Sequence, residues 1–353
     1  PLNIANIFLD KPKDFKGDLN INLVYDLDLK SFSSDIASKN TYIQNNQILF
    51  DKGQIKYFDS IFDIDFSLLI NDSRVPINIS GSIPIDKNSS LDLRLIGNEK
   101  FIELIDIFSD KYFNFKEGDV NIRTIIKGNI EKPIVNGFIS VKDSEINIFN
   151  NIIKDINSVI IFDFDHLEIK NLQASGEGSG KLVLTGSLPF YDKSSLFNKY
   201  INLKTNKFSI KTPNMEFLAD SNINISGSFE NPVLGGDLAL NNGFINFKNS
   251  SNNSKRKNNI KNINDKKNWP ELYWENDKNI EIISNESILN SVLLGETLPS
   301  YLENLSFKNL KLKLGPDFKL QYLEIIKAYL DTKLDLNING SVGDDLNARG
   351  LIF

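Results

Sequence analysis

Cysteine is absent from the 353 residues, and histidine and methionine occur once each, at His166 and Met215. No disulfide framework, thiolate zinc site or cysteine nucleophile can therefore be built, and one imidazole cannot supply a His-His-carboxylate metal triad. Positive charge is not in excess either. The chain sets 40 Lys+Arg against 46 Asp+Glu, a balance of −6 with a pI near 5.1, which argues against the basic footprint that nucleic-acid binding needs. Long apolar runs are missing too: no stretch of 18 apolar residues could span a bilayer as a helix, and no charged-then-apolar signal segment precedes the first strands. With 41% hydrophobic and 24% charged residues the chain is too apolar for disorder. Its length suits two or three domains or one repeat architecture. The sequence opens at Pro1 and breaks off at Gly350-Leu351-Ile352-Phe353 inside a recurring strand pattern, so it reads as an interior fragment expected to continue past Phe353.

What the chain has in abundance is strict alternation of apolar and polar residues, the period of a strand with one dry face and one wet face. Leu19, Ile21, Leu23, Tyr25, Leu27 and Leu29 alternate with Asn20, Asn22, Val24, Asp26, Asp28 and Lys30, and Phe62, Ile64, Phe66, Leu68 and Ile70 repeat the arrangement with Asp63, Asp65, Ser67 and Leu69. Further sets at period two are Val120, Ile122 and Ile126; Ile139 and Val141; Leu182, Leu184 and Leu188; Ile223 and Ile225; and Leu238 and Leu240. Leu310, Leu312 and Leu314, followed by Leu334, Leu336 and Ile338, complete the series. Side chains two apart lie on one face, so each set builds one apolar face of an antiparallel meander, with alternates such as Asp26, Asp28, Asp63 and Asp65 on the wet side. The fold class predicted is all-β, a long curled antiparallel sheet with one or two short helices.

Helical spacing is scarce. Phe101, Ile102, Leu104, Ile105, Ile107 and Phe108 fit one helical face after Asn98 as N-cap, and a weaker pattern covers Ser287 to Leu294. From Lys248 to Asn268 the composition turns to Asn, Ser and Lys, which marks an inserted loop; its basic residues read as solvated, and Trp269 and Trp274 as re-entry into a sheet.

Self-comparison is more informative. The run Ile126-Lys127-Gly128-Asn129-Ile130-Glu131-Lys132-Pro133-Ile134-Val135-Asn136-Gly137 matches Ile225-Ser226-Gly227-Ser228-Phe229-Glu230-Asn231-Pro232-Val233-Leu234-Gly235-Gly236. The match extends without a gap to Ile139, Val141, Ile146 and Asn147 against Leu238, Leu240, Ile245 and Asn246. Gly81-Ser82-Ile83-Pro84-Ile85 returns as Gly186-Ser187-Leu188-Pro189-Phe190, and a partial third copy is Ile338-Asn339-Gly340-Ser341-Val342 with Ala348-Arg349-Gly350-Leu351-Ile352. Gly inside an alternating strand marks a bend or bulge, and Pro133 and Pro232 lack the N–H of a central ladder, so they belong at turns or edges. The repeated unit is strand, turn, strand.

Two local clusters invite a chemical reading. Asp163-Phe164-Asp165-His166-Leu167-Glu168 holds three carboxylates and the lone imidazole, but alternation puts Asp163 and Asp165 on one face and His166 on the other unless a turn reunites them. Ser175-Gly176-Glu177-Gly178-Ser179-Gly180-Lys181 has the glycines of a phosphate cradle, yet the spacing is wrong for a Walker loop and Leu182 stands where a Ser or Thr should follow. A glycine-rich hairpin is the plainer reading. No serine sits at an elbow motif to pair with the histidine, so no catalytic residue, metal or cofactor is expected.

The Gly-x-[Ile/Phe]-Glu-x-Pro-x-[Val/Leu]-x-Gly unit, the Gly-Ser-[Ile/Leu]-Pro unit and the run Leu310-Lys311-Leu312-Lys313-Leu314-Gly315-Pro316-Asp317-Phe318 together resemble the C-terminal region of the TamB family, the translocation and assembly module branch of AsmA-like proteins. The resemblance covers roughly residue 60 to the end, and the order and spacing of its motifs carry it. It implies a sheet curled into a taco-shaped groove, an inner-membrane anchor N-terminal to this stretch and a periplasmic location in a diderm envelope. It also implies an outer-membrane barrel partner of the TamA type, contacted through residues beyond this stretch, and no catalytic residues. The function it implies is a bridge for phospholipid between inner and outer membranes, with assembly of outer-membrane β-barrel proteins as the alternative. A transmembrane barrel would also alternate, but neither regular strand lengths nor paired aromatic girdles are present. On this reading residues 1–80 are groove strands, 81–185 a first repeat with the helix near 98–111, and 186–247 a second. Residues 248–268 are the loop, and 269–353 hold C-terminal strands with a partial third repeat. The groove wall would be Leu19, Ile21, Leu23, Phe62, Ile64, Phe66, Leu68, Val120, Ile122, Ile126, Ile139, Val141, Leu182, Leu184, Ile223, Ile225, Leu238, Leu240, Leu312, Leu314, Leu334, Leu336 and Ile338, lining an open groove that shields acyl chains while headgroups remain in water.

Overall fold

The computed structural model describes residues 15–38, 40–43, 46–86, 89–108, 113–148, 151–191, 199–212, 215–247, 272–275, 279–283, 304–315, 318–322, 326–330, 334–342 and 346–352. The chain divides into two units, Pro1–Ile148 with Ile153–Leu172, and Phe149–Ile152 with Gln173–Phe353. The 248–268 loop, the Ser287–Leu294 pattern and Trp269 lie outside the described residues. Among the described residues no helix is long and apolar enough to cross a membrane.

The fold class is all-β, as the alternation predicts. In the first unit β1 (Phe15–Lys16), β2 (Leu19–Asp26), β3 (Ser31–Ser38), β4 (Thr41–Ile43), β5 (Asn46–Phe58), β6 (Ile61–Ile70), β7 (Ile77–Pro84) and β8 (Leu91–Asn98) lead into α1 (Glu99–Phe108). β9 (Phe113–Gly128) and β10 (Ile134–Ile148) follow. Each strand from β5 to β10 pairs antiparallel with the next, while β3 pairs with both β2 and β5. The helix begins where the sequence placed it: the Lys100 backbone N–H donates to Asn98 Oδ1 at 3.1 Å, the bond expected of an N-cap. One strand is shorter than its alternation suggests. β2 ends at Asp26, whose carboxylate accepts the backbone N–H groups of Asp28 and Leu29 at 2.9 and 3.0 Å. That side chain folds residues 27–30 into a turn, so Leu27 and Leu29 leave the strand face.

β11 (Asn151–Phe164) and β12 (His166–Ser175) precede the main strands of the second unit: β13 (Lys181–Pro189), β14 (Ile201–Thr212), β15 (Met215–Gly227) and β16 (Pro232–Phe247). Then come β17 (Leu272–Glu275), β18 (Asn279–Ile283), β19 (Ser306–Leu314), β20 (Phe318–Tyr322), β21 (Ile326–Leu330), β22 (Leu334–Ser341) and β23 (Asn347–Ile352). Here the structure departs from a purely antiparallel meander. β16 lies antiparallel to β15, but its other edge runs parallel to β19 over Val233–Leu240 and parallel to β20 over Gly243–Phe247. A parallel pair needs a crossover of a dozen residues or more, and the chain between β16 and β19 supplies it. The β17–β18 hairpin within that crossover pairs through β18 with β23.

The repeat read from the sequence is a register repeat in space. Across β7, β8, β9 and β10, Gly81, Leu93, Ile126 and Val135 stand opposite one another; across β13, β14, β15 and β16 the same row is Gly186, Ile201, Ile225 and Leu234. The following glycine is displaced by two residues in both, with Gly137 opposite Thr124 and Gly236 opposite Ile223. Gly350 takes the same place opposite Leu336 in the third, partial copy. Gly137 and Gly236 hold φ of 144° and 115°. A Cβ there would come within 2.0 Å of the Arg123 carbonyl oxygen and 2.3 Å of that of Asn222. These glycines crease the sheet, the standard device for curving one.

Gly236→Ala is expected to lower the stability of the second unit by about 1–3 kcal/mol, read as a shift in the urea midpoint of the circular-dichroism strand signal. An unchanged midpoint would mean the crease is not held at this position.

Candidate apolar binding face

Directly opposed residues share a face of a sheet, so the register decides which side chains meet. In the first unit one row runs Leu23, Ser34, Ile55, Ile64, Gly81, Leu93, Ile126 and Val135. Leu19, Ile21, Phe62, Phe66, Leu68, Val120, Ile122, Ile139 and Val141 fall on the same face in the neighbouring rows. In the second unit Leu184, Leu203, Ile223, Gly236, Leu310 and Ile338 form one row. Leu182, Thr205, Ser221, Leu238, Leu312 and Leu336 form the next. Ile225, Leu240, Leu314 and Leu334 flank them on the same face. Each unit therefore gathers its sequence-predicted residues on one side. Other residues on that side lie outside the predicted set, notably Ile55, Ile79, Leu93, Leu95, Val135, Leu203 and Leu234. Ile77-Ile79-Gly81-Ile83 and Leu91-Leu93-Leu95 alternate as clearly as the rest, but a central glycine and a short span make them inconspicuous.

The face is not uniformly sealed. In the first unit Ile70 and Ile77 have no exposed surface, and Phe101 of α1 packs on their cluster and on that of Phe115, Val120 and Ile122. Away from the helix, Ile64, Leu93, Ile126 and Val135 are half-buried, and on β2 Ile21 and Leu23 are 57% and 58% exposed. In the second unit the sealed part centres on Phe318, packed with Met215, Phe217, Leu240, Leu314 and Leu334. The Phe217 and Phe318 rings meet at 6.3 Å across β16, where Gly243 has no side chain to separate them. Leu182, Leu184, Leu203, Ile225 and Leu234 remain half-buried. Among the predicted wall residues, Leu68, Val120, Ile122, Ile223, Leu240, Leu314, Leu334 and Leu336 are buried, and the others keep surface toward water.

The opposite side of the first unit carries a polar ladder, with Val24, Phe58, Ile96 and Ile125 exposed on the same side. Lys52 pairs with Asp65, Ser82 donates to Asp63, Gln54 Nε2 donates to Asp35 at 3.0 Å, and Lys127 lies 3.0 Å from Asp92. Such exposed pairs contribute little stability each, but they commit that side to water.

The two chemical clusters do not converge. Phe164, with φ of 57°, makes the turn that the histidine segment required, and His166 Nδ1 lies 3.1 Å from Asp165 Oδ1. Asp163 is on the other side of the ring, 3.9 Å from Nε2, so the carboxylates address opposite nitrogens rather than a common point. Among the described residues no group of His, Cys, Asp and Glu is placed to hold a metal ion. The glycine run is a hairpin, closed by the Gly176 N–H on the Gly180 carbonyl at 2.9 Å. Its Glu177 sits 2.6 Å from Lys211 Nζ and, by accepting that hydrogen bond, holds the ammonium above the ordinary lysine range.

The family profile described as TamB C-terminal domain matches residues 170–352, more than half of the chain. Among curated proteins, the Arabidopsis thaliana protein "Protein TIC236, chloroplastic" is 24% identical over 135 residues, which cover 37% of this chain and 6% of that protein. The chain thus spans a small part of that relative's length. No solved structure matches it.

The sealed and half-buried parts of the second unit should respond differently to substitution. Phe318→Ala is expected to cost about 3–5 kcal/mol, and Leu184→Asp about 1 kcal/mol, both from urea unfolding. Equal losses would make Leu184 part of the core rather than of an open surface.

Proposed function

Because the chain belongs to the TamB family, periplasmic and non-enzymatic envelope proteins acting in outer-membrane protein assembly or lipid transport, we propose that its half-buried apolar face holds phospholipid acyl chains. It would serve as a length of the bridge between inner and outer membranes, with headgroups left in water. The observation that carries this reading is the apolar face of each unit, where aliphatic side chains keep surface toward water, Ile21 and Leu23 in the first and Leu184 and Ile225 in the second. Apolar surface of this kind calls for an occupant. Covering about 200 Å² of it would stabilise the occupied state by about 5 kcal/mol at about 25 cal/mol per Å². The inner-membrane anchor and the contact with a TamA-type barrel belong, on this reading, to parts of the protein outside these residues.

A second reading, assistance to barrel assembly, is favoured by one feature. Among the described strands β2 pairs only with β3, so its other edge offers an unpaired row of backbone N–H and C=O groups that an incoming strand could extend.

Native mass spectrometry of the chain purified from bacteria without detergent, followed by lipid extraction, separates the two. Several co-purifying phospholipids per chain, lost in Leu184→Asp/Ile225→Asp, are expected. A folded chain free of lipid would overturn the conduit, and retention of a strand-forming peptide by that same double variant would favour the edge.

A further inference from the structure

The back of the second unit carries a second, chemically distinct surface. Thr185, Tyr200, Asn202, Lys204, Asn222 and Asn224 line an open depression of about 510 Å³ beside the crease at Gly186. Asn202 is opposed to Asn224 and Lys204 to Asn222 in the β14–β15 register, alternating with Leu203 and Ile223, so the depression lies on the side away from the apolar face.

Its hydrogen-bonding capacity is arranged but not consumed. Asn202 Nδ2 donates to Asn222 Oδ1 at 2.9 Å and to Asn224 Oδ1 at 2.8 Å. That fixes three amides in one array and leaves Asn202 Oδ1 and the amide N–H groups of Asn222 and Asn224 without a partner among the described residues. The Lys204 ammonium and the Thr185 hydroxyl are likewise unpartnered there, and Tyr200 keeps 51% of its surface exposed at the rim.

The fold contains its own comparison. Gly81 creases the first unit at the equivalent repeat position, beside a depression of about 290 Å³ that includes Gln54, Asp63 and Asp65. Those groups engage neighbouring side chains: Asp65 pairs with Lys52, Asp63 accepts from Ser82, and Gln54 donates to Asp35. The amide lining at Gly186 is therefore not a requirement of the crease.

We propose that this depression is a binding site for a neutral glycan. Sugar hydroxyls both donate and accept, which matches an array mixing amide N–H groups, an amide carbonyl and a hydroxyl. The C–H face of a pyranose ring can lie on an exposed tyrosine. An anion fits less well, because it would face the Asn202 carbonyl oxygen, and Asp237, opposed to Asn222 on the next strand, adds negative charge on the same side. The site does not depend on the lipid reading, since it uses the other side of the sheet.

Saturation-transfer NMR on the 353-residue chain, with N-acetylchitotetraose and maltotetraose as probes and inorganic phosphate as competitor, tests it. Signal from at least one tetrasaccharide is expected. Asn202→Ala/Asn224→Ala should weaken binding by about ten-fold, the loss of two or more hydrogen bonds. Tyr200→Ala, a truncation of an exposed side chain, should also weaken it, while Tyr200→Phe and Leu184→Asp should retain it. If the double variant fails to fold, the Tyr200 pair alone decides the matter. No signal from either sugar, signal indifferent to these substitutions, or displacement of the sugar by phosphate would overturn the proposal, the last pointing to an anion site at Lys204.

Discussion

Direct opposition of residues across neighbouring strands is the constraint on which the rest depends. Leu23, Ser34, Ile55 and Ile64 share a face only because each backbone pairing keeps its register. A slip of one residue anywhere along such a row would turn a strand's aliphatic side chains toward the polar side. The burial of Ile70 and Ile77 under Phe101, and of Phe318 against Phe217, gives that register its energetic hold. The half-buried stretches between these anchors can then stay open to water without being free to shift.

Much of this was legible in the sequence, and the residues say why. Period two in Phe62, Ile64 and Phe66 or Leu312 and Leu314 is set by strand geometry, so it survives any rearrangement of strand order. The Asn98 cap and the glycine hairpin at residues 175–181 are local and were equally readable. Strand direction was not. Parallel and antiparallel strands share the same side-chain period, so nothing in Leu238 and Leu240 told that β16 would lie parallel to β19. The end of β2 was hidden for a different reason: one Asp26 carboxylate outweighs an alternation that formally continues to Leu29. The amide array at Asn202 was invisible because its members lie on two strands and meet only through the β14–β15 pairing.

The two sides of the sheet are chemically independent. The Leu184 side chain and the Asn202 array lie on opposite sides, because alternate residues of one strand serve opposite sides. One chain can thus present an aliphatic surface and a hydrogen-bonding surface back to back without either compromising the other.

The repeated register also has a consequence for how such a chain can change in length. Four strands are an even number, so a copy such as β7 to β10 hands the chain on in the direction in which it was received. Adding or losing a whole copy leaves the aliphatic side in phase, whereas an odd number of strands would reverse the chain at the junction. Each copy changes the stacked width by about 19 Å at about 4.8 Å per strand. A lineage could therefore lengthen or shorten this sheet in fixed steps by duplication and deletion without redesigning a single interface.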